Sequence, residues 1–163
     1  MADYCTNFCF VIPANREQGA WLYGLHGAAS RRLGDCEGDW RQQARDAETS
    51  EAAEALATRF DTDGSPGIAL RADTGTLRIS SEGGLGNPAY AAALVQLFLQ
   101  RFELDEIVSF QWSLTCSEPR PNGNGGGAAV VSRNRIELFD TGDFVAEAMR
   151  RAAVETGSPI PVG

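Results

Sequence analysis

The sequence predicts one α+β domain in which an antiparallel sheet carries its helices on one face. Between Val108 and Cys116, apolar and polar residues alternate strictly, which is typical of a strand with one buried face. Two pairs of short segments rich in β-formers are separated by turn residues and predict hairpins. Other segments place apolar residues at helical spacing. Hairpins join antiparallel strands, so an antiparallel sheet satisfies this order of elements.

The N-terminal third predicts a strand followed by two helices. Residues Tyr4–Ile12 alternate in polarity, and the proline that follows ends the strand. Asn15 and Gln18 form a capping-box pattern, which predicts a helix over 15–33. A second helix, rich in alanine and glutamate, is predicted over 50–60.

The middle of the chain predicts a hairpin and the best-defined helix. The segments 68–71 and 76–80 are joined by a loop with strong turn chemistry. Asn87 caps the next helix and Pro88 opens it, because proline is favoured at the first helical position. This helix is expected to run to about residue 102.

The C-terminal third predicts a second hairpin and a final helix. The hairpin follows the strand 108–116 and consists of 128–131 and 136–139. The helix over 141–155 has an apolar stripe that we expect to pack inward. The stripe consists of Phe144, Val145, Ala148, Met149 and Ala152.

These elements predict a single domain over residues 1–156. It contains an acidic insertion at 34–65 and a Gly/Pro loop at 117–127, and a flexible tail follows at 157–163. The element order β-α-α-β-β-α-β-β-α is satisfied by an antiparallel layer with helices on one side, a ferredoxin-like arrangement. Because no secretory signal or long apolar run is visible, we expect a cytoplasmic protein.

The net charge of −8 is unevenly distributed along the chain. Nine acidic residues between positions 35 and 63 stand against three arginines, so that this segment carries −6. Such a chain is repelled by phosphates, which disfavours direct nucleic-acid binding, but it attracts a basic protein. The predicted interaction surface consists of Asp35, Glu37, Asp39, Asp46, Glu48, Glu51, Glu54, Asp61 and Asp63.

The loop Gly83–Asn87 is a candidate ligand site. The sequence from Gly84 to Ala89 matches G-x-G-x-x-A between a strand and a helix, where backbone N–H groups can bind phosphate. The preceding strand belongs to a hairpin, however, and no acid follows at the distance that a dinucleotide site requires. A turn with a helix cap is therefore the preferred interpretation, and nucleotide or CoA binding is the alternative.

A second candidate lies where the strand 108–116 leaves the sheet. Trp112, Thr115, Ser117 and Arg120 form a corner beside a glycine loop, which lets a ligand or partner approach closely.

Cysteine and histidine chemistry offers little support for an enzyme or a metal site. Cys116 is a candidate nucleophile only if His26, the single histidine, lies beside it. Cys5 and Cys9 would be about 13 Å apart on a strand, at roughly 3.3 Å per residue, which is too far for one ion. A zinc site formed by His26, Cys36 and Cys116 would require the fold to bring three distant residues together by chance. We expect neither a metal nor a cofactor.

Three stretches of the sequence carry a resemblance to other proteins. They are the opening Asp3-Tyr-Cys-Thr-Asn, the helix end Leu-Phe-Leu-Gln-Arg-Phe, and the run Gln111-Trp…Thr-Cys-Ser…Pro-Arg…Gly-Gly-Gly-Ala-Ala-Val-Val. They resemble a group of small uncharacterised proteins of bacteriophages and conjugative elements, which are similar to ferredoxin-like domains. The resemblance covers mainly residues 75–145 and implies an accessory role in a mobile element.

The combined patterns predict a non-catalytic interaction or inhibitor protein of a mobile genetic element. Its role would be of the anti-CRISPR or anti-restriction type, with an acidic surface that imitates nucleic acid toward a basic host protein. The alternative is a small nucleotide- or CoA-dependent transferase that uses the Gly83–Asn87 loop. We expect neither nucleic acid nor a membrane as a direct partner, and a homodimer formed through an open sheet edge is a further hypothesis.

Overall fold

The computed structural model describes residues 3–34, 46–60, 65–118 and 123–156. These ranges contain seven strands and four helices, which confirms the predicted α+β class. The elements are β1 (Tyr4–Asn7), β2 (Cys9–Pro13), α1 (Arg16–Leu33), α2 (Ala47–Arg59), β3 (Ile68–Asp73), β4 (Thr76–Ser81), α3 (Pro88–Arg101), β5 (Val108–Cys116), β6 (Gly125–Val131), β7 (Ile136–Asp140) and α4 (Thr141–Thr156). The predicted flexible tail at 157–163 lies outside the described residues.

The strands form two antiparallel sheets, with the orders β1-β5-β6-β7 and β2-β4-β3. The strand predicted over residues 4–12 is divided at Phe8, because β1 pairs with β5 whereas β2 pairs with β4. Two sheets therefore replace the single sheet of the prediction, and its ferredoxin-like arrangement stays a prediction. Strand β6 begins at Gly125, inside the segment that was expected to be a loop.

An aromatic cluster holds the two sheets together at the division. The ring of Phe10 in β2 stacks on that of Phe110 in β5, with centroids 4.2 Å apart and planes within 5°. The ring of Phe8 lies 5.6 Å from the same Phe110 ring. Burying these rings removes a large apolar area from water, so the junction is a centre of the core.

The helices begin at the capping residues. In α1, the side chains and backbone N–H groups of Asn15 and Gln18 bond reciprocally at 2.9 Å, as the capping-box pattern predicts. Helix α2 begins earlier than predicted, because the carboxylate of Asp46 accepts a hydrogen bond from the N–H of Thr49 at 2.7 Å. Helix α3 is capped by Asn87, again as predicted.

Helix α3 is the most deeply buried helix and sits at the middle of the molecule. It contacts α1 and α2 on one side and β6 and β7 on the other. Its buried residues include Tyr90, Leu94, Val95, Phe98 and Leu99. A helix that is apolar on most of its sides belongs in a core.

Helix α4 forms where it was predicted, but its apolar stripe does not pack inward. Phe144, Val145 and Met149 are exposed, and Phe144 is exposed to 69% of its area. The inward orientation was thus wrong, because apolar spacing defines a helix face without specifying what covers it. None of the helices in the described ranges is long and apolar enough to cross a bilayer.

Candidate interaction surface

The outer edge of β3 is closed by side chains of α1. The hydroxyl of Tyr23 donates to the carbonyl of Leu70 at 2.6 Å and accepts from the N–H of Ala72 at 3.1 Å. One helical turn later, Nε2 of His26 donates to the carbonyl of Ile68 at 3.1 Å. These bonds satisfy backbone groups that would otherwise attract another strand.

His26 is held as a neutral group in a hydrogen-bonded chain. Because Nε2 donates to a carbonyl, Nδ1 is the acceptor, and it takes the hydroxyl of Tyr90 at 3.1 Å. The hydroxyl of Ser30 lies 3.2 Å from the same Nδ1. Burial lowers the pKa of His26, and the bond to Ile68 and the charge of Glu82 oppose that effect less strongly. Both ring nitrogens are engaged, which leaves none to activate Cys116.

The outer edge of β7 is open. This strand is the last in its sheet and pairs only with β6. Within the described ranges, no hydrogen bond reaches the outer edge of residues 136–139. Leu138 and Phe139 are neighbours on the strand, so their exposed side chains project from opposite faces of the sheet. An edge with apolar residues on both faces favours pairing with another strand.

Exposed apolar side chains are concentrated around this edge and the helix after it. In the part of the chain that the structure describes, seven of the twelve exposed large apolar residues lie between positions 130 and 154. Most of the others are scattered singly, which is normal for a protein surface. We define the β7/α4 surface as Leu138, Phe139, Phe144, Val145 and Met149.

An open groove of about 350 Å³ lies at the base of α4. Trp112, Leu114 and Leu138 contribute its apolar lining, and Asp140 and Asp143 contribute acidic groups. The indole of Trp112 packs closely on Gly127. A Cβ on that glycine would come within 2.2 Å of the ring. The groove therefore extends the apolar β7/α4 surface toward the sheet.

Of the predicted corner at the end of β5, the structure describes Trp112, Thr115 and Ser117. Trp112 and Thr115 differ by an odd number of positions on one strand and so face opposite sides of the sheet. The hydroxyl of Thr115 lies 3.5 Å from the carbonyl of Cys5, to which it donates. Ser117 is bonded to the N–H of Asp3 through its own hydroxyl, at 2.9 Å. Arg120 lies outside the described residues.

The Gly83–Asn87 loop uses its backbone for internal bonds. The carbonyl of Gly84 accepts from the N–H of Thr6 at 2.7 Å, and the N–H of Asn87 donates to the carbonyl of Pro66 at 3.1 Å. At the start of α3, Pro88 has no N–H and the Asn87 side chain takes the N–H of Tyr90. A phosphate would find few donors here, since its usual partners are free N–H groups of the first turn.

The glycines of this loop serve close packing. The φ of Gly84 is +73°, which residues with a Cβ rarely adopt, and a Cβ at this position would lie 3.0 Å from Sγ of Cys5. A Cβ at Gly86 would lie 2.6 Å from the ring of Phe8. The G-x-G spacing thus lets the loop pack on the first strand, which supports the interpretation as a turn with a helix cap.

The described part of the acidic segment lies on α2 and just before it. Asp46 caps the helix, and the hydrogen bond from the N–H of Thr49 is the main cause that lowers the pKa of Asp46. Oε1 of Glu48 lies 3.5 Å from Nε of Arg101, so that this charge is partly neutralised. Glu51 and Glu54 are exposed. Of the other predicted surface residues, Asp35, Glu37, Asp39, Asp61 and Asp63 lie outside the described residues.

Other clefts and the cysteine thiols lie elsewhere in the described ranges. A cleft of about 170 Å³ lies between α1, α2 and α3 beside Trp21 and Arg101. Open depressions of about 590 Å³ and 460 Å³ lie along α2 and beside Tyr23. No group of three potential metal ligands occurs among the described residues. Cys5, Cys9 and Cys116 are free thiols, and Cys36 falls outside the described ranges.

Comparison with known proteins yields no relative. No family model matches the chain, and neither a curated protein nor a solved structure is significantly similar to it. The function must therefore be inferred from the geometry described above.

The features that matter most were not singled out from the sequence. Tyr23 closes an edge through partners 47 and 49 positions away, and no local pattern indicates such a contact. The available signal for the open edge was the pair Leu138-Phe139, where two adjacent apolar residues interrupt the alternation expected of a strand with one wet face.

Proposed function

We propose that this chain is a non-catalytic interaction protein that binds another protein through the β7/α4 surface. The observation that supports this most is the concentration of exposed apolar side chains beside an open strand edge. Large apolar side chains that are exposed together in one region are typical of protein interfaces.

The geometry of the candidate catalytic groups favours an interaction protein over the alternative transferase. His26 is engaged at both nitrogens, and in the Gly83–Asn87 loop the N–H groups of Leu85 and Asn87 bond to carbonyls of the same chain. An enzyme needs a nucleophile, base or phosphate cradle that is open to substrate. The described residues offer a docking surface more readily than such a set.

We further propose that the chain is an accessory protein of a mobile genetic element. It would act in the cytoplasm of the host and bind a defence protein there. The resemblance of residues 75–145 to small proteins of bacteriophages and conjugative elements supports this part. All 14 basic side chains are arginine, as in proteins from GC-rich genomes, which indicates the kind of host in which to search.

The exposed glutamates of α2 favour a second candidate surface for a basic partner. Glu51 and Glu54 lie near each other on one helix, three positions apart. Such a surface raises the association rate of a basic protein and could imitate nucleic-acid charge. Because Asp46 and Glu48 already have partners, we rank this surface below the β7/α4 surface.

A capture experiment tests the proposed function. The tagged chain is incubated with lysate of a GC-rich bacterium, and captured proteins are compared between the wild type and the double variant Phe144→Asp/Val145→Asp. We expect the variant to lose the specific partner, whereas Ile107→Asp keeps it, because Ile107 is equally exposed at 72% but lies outside the surface. Equal capture by both variants would contradict the proposal.

The second candidate surface has its own test. The double variant Glu51→Gln/Glu54→Gln removes two charges and keeps the side-chain size. If α2 binds the partner, we expect weaker capture and a reduced dependence on salt, since salt screens exposed charges. Capture that is unchanged and insensitive to salt would remove the charge-imitation hypothesis.

A further inference from the structure

We propose that the occupant of the β7/α4 surface is a second copy of this chain. The two β7 strands would pair antiparallel about a two-fold axis, and the two α4 helices would pack on each other. This inference rests on the proposed function, in which the same surface binds protein, so that the second copy and the host partner would compete for it. Pairing of the two β7 strands would join the four-stranded sheet of one copy to that of the other in one continuous sheet.

The length of β7 selects the register of this pairing. A two-fold axis perpendicular to the sheet keeps equivalent faces together, so that residues of the same face lie opposite each other. Centring the axis on Leu138 pairs all five residues of the strand, with Ile136 opposite Asp140 of the second copy. Leu138 then meets Leu138 of the second copy. A register centred on Glu137 would instead oppose two like charges.

The charges of the strand also favour antiparallel self-pairing. The strand begins just after Arg135, which is exposed, and it ends at Asp140. In antiparallel pairing, the basic start of each copy lies beside the acidic end of the other. Parallel pairing would place like charges side by side, which is unfavourable. The strand is therefore complementary to itself in one orientation.

The charges along helix α4 are compatible with the same antiparallel orientation. Its apolar stripe is flanked by Glu147 and Arg150, which form an ion pair within one chain. An antiparallel pair of α4 helices brings Glu147 near Arg150 of the second copy and places Val145 and Met149 in the contact. The two-fold axis puts both helices on the same side of the joined sheet.

The exposed apolar side chains supply a substantial part of the area that a stable dimer buries. With 16 residues, α4 is about 24 Å long at 1.5 Å per residue. Phe139 and Phe144, exposed to 54% and 69%, alone leave on the order of 250 Å² in water. Together with the strand edge, the surface offers several hundred Å², of the order of the roughly 800 Å² that each partner buries in a standard interface.

Pairing through the same edge on both copies closes the assembly at two. An interface that uses one patch on each subunit is isologous and does not propagate into a filament. The covered edge of β3 is consistent with this, because Tyr23 and His26 block a second site of strand addition.

Light scattering after size-exclusion chromatography tests the inference on the full chain. We expect the wild type to have twice the 17.5 kDa mass of one chain. Leu138→Lys and Phe144→Asp should weaken association at least 100-fold and give monomers, whereas Ile107→Asp should stay dimeric. Since both substituted side chains are exposed, circular dichroism should show an intact fold.

A cysteine at the predicted axis tests the register. In a Cys9→Ser background, Leu138→Cys should form a disulfide-linked dimer under mild oxidation. Directly opposite residues have Cα atoms about 4.5–5.5 Å apart, within the span of a disulfide. Ile107→Cys in the same background is the control and should stay largely unlinked. Equal linkage of the two variants would overturn the proposed register.

The outcomes separate this inference from the proposed function. A wild type that stays monomeric at all concentrations overturns the homodimer, and the proposed function survives if Phe144→Asp still abolishes capture of a host protein. A dimer that Phe144→Asp and Leu138→Lys dissociate supports the inference. If capture of the host protein is then unaffected, the proposed binding of that partner at the β7/α4 surface is wrong.

Discussion

The strands β3 and β7 are both edge strands, with six and five residues, yet only one of them is covered. Three backbone groups of β3 are bonded to Tyr23 and His26 of α1. The outer edge of β7 lacks such partners within the described ranges, and apolar side chains project from both of its faces. The difference indicates that the fold can protect an edge from pairing and leaves β7 available for it.

The helices beside the two edges, α1 and α4, differ in the side chains that they present. Helix α1 presents a hydroxyl and an imidazole to β3, both suited to single backbone groups. Helix α4 follows β7 without an intervening loop and presents a phenylalanine, a valine and a methionine to solvent. The polar side chains of α1 thus close the edge of β3. The apolar side chains of α4 instead add to the surface that an added strand could contact at the edge of β7.

The largest effect that we expect comes from removing His26 from the closed edge. His26→Ala deletes the donor to Ile68 and the acceptor for Tyr90, and it leaves the fully buried hydroxyl of Tyr90 without this partner. We expect a loss of about 2–4 kcal/mol in the free energy of unfolding, measured by urea denaturation. The control Arg16→Ala, at an exposed position of α1, should change it by less than about 0.5 kcal/mol. A loss no larger than that of the control would contradict the structural role of His26.

A pH titration of stability addresses the same residue without truncation. Because burial lowers the pKa of His26 below its usual 6.5, the unfolded chain binds a proton in a pH range where the folded chain does not. The contribution of neutral His26 is therefore present above about pH 6.5 and is lost as the pH falls toward the lowered value. We expect His26→Gln to flatten this part of the curve of unfolding free energy against pH. An unchanged slope would show that other groups cause it.

A smaller effect is expected at Tyr23. Tyr23→Phe removes the hydroxyl that bonds Leu70 and Ala72 and keeps the ring. Since the residue is 41% exposed, water can replace part of the bonding, and we expect a loss of about 1 kcal/mol. Hydrogen exchange at the amide of Ala72 should accelerate. Unaltered protection at Ala72 would mean that the Tyr23 hydroxyl does not close the edge.

The smallest effect on the free energy of unfolding is expected for a substitution in the β7/α4 surface when the protein is dilute. Phe144→Asp replaces a side chain that contacts little within its own chain, so the monomer should keep its unfolding free energy within about 0.5 kcal/mol. At high concentration, the wild type alone should gain stability, because association favours the folded state. A large loss in the dilute variant would instead place Phe144 in the core.

Local signals in the sequence predicted most of the elements. The reciprocal pattern of Asn15 and Gln18 and the Asn87-Pro88 pair place two helix starts correctly, because capping depends on neighbours within one turn. The alternation from Val108 to Cys116 gives β5 its observed bounds. In contrast, the division of the first strand at Phe8 keeps the alternation intact on both sides, so that only the pairing partners reveal it.

The features that carry the functional proposal depend on distant or external partners. His26 meets residues 42 and 64 positions away, and no window of sequence contains such a contact. The stripe of α4 indicates that one face of the helix favours burial, but it does not specify whether the same chain or another covers it. The acidic count between positions 35 and 63 likewise did not show that Asp46 caps a helix and that Glu48 pairs with Arg101.

Amide hydrogen exchange at two protein concentrations tests the contrast between the edges most directly. The outward N–H groups of β7 should exchange slowly when the chain is concentrated and rapidly when it is dilute, because a second copy protects them. The amide of Ala72 in β3 should be protected equally in both samples, since Tyr23 of the same chain binds it. Exchange in β7 that is the same at both concentrations would contradict the account.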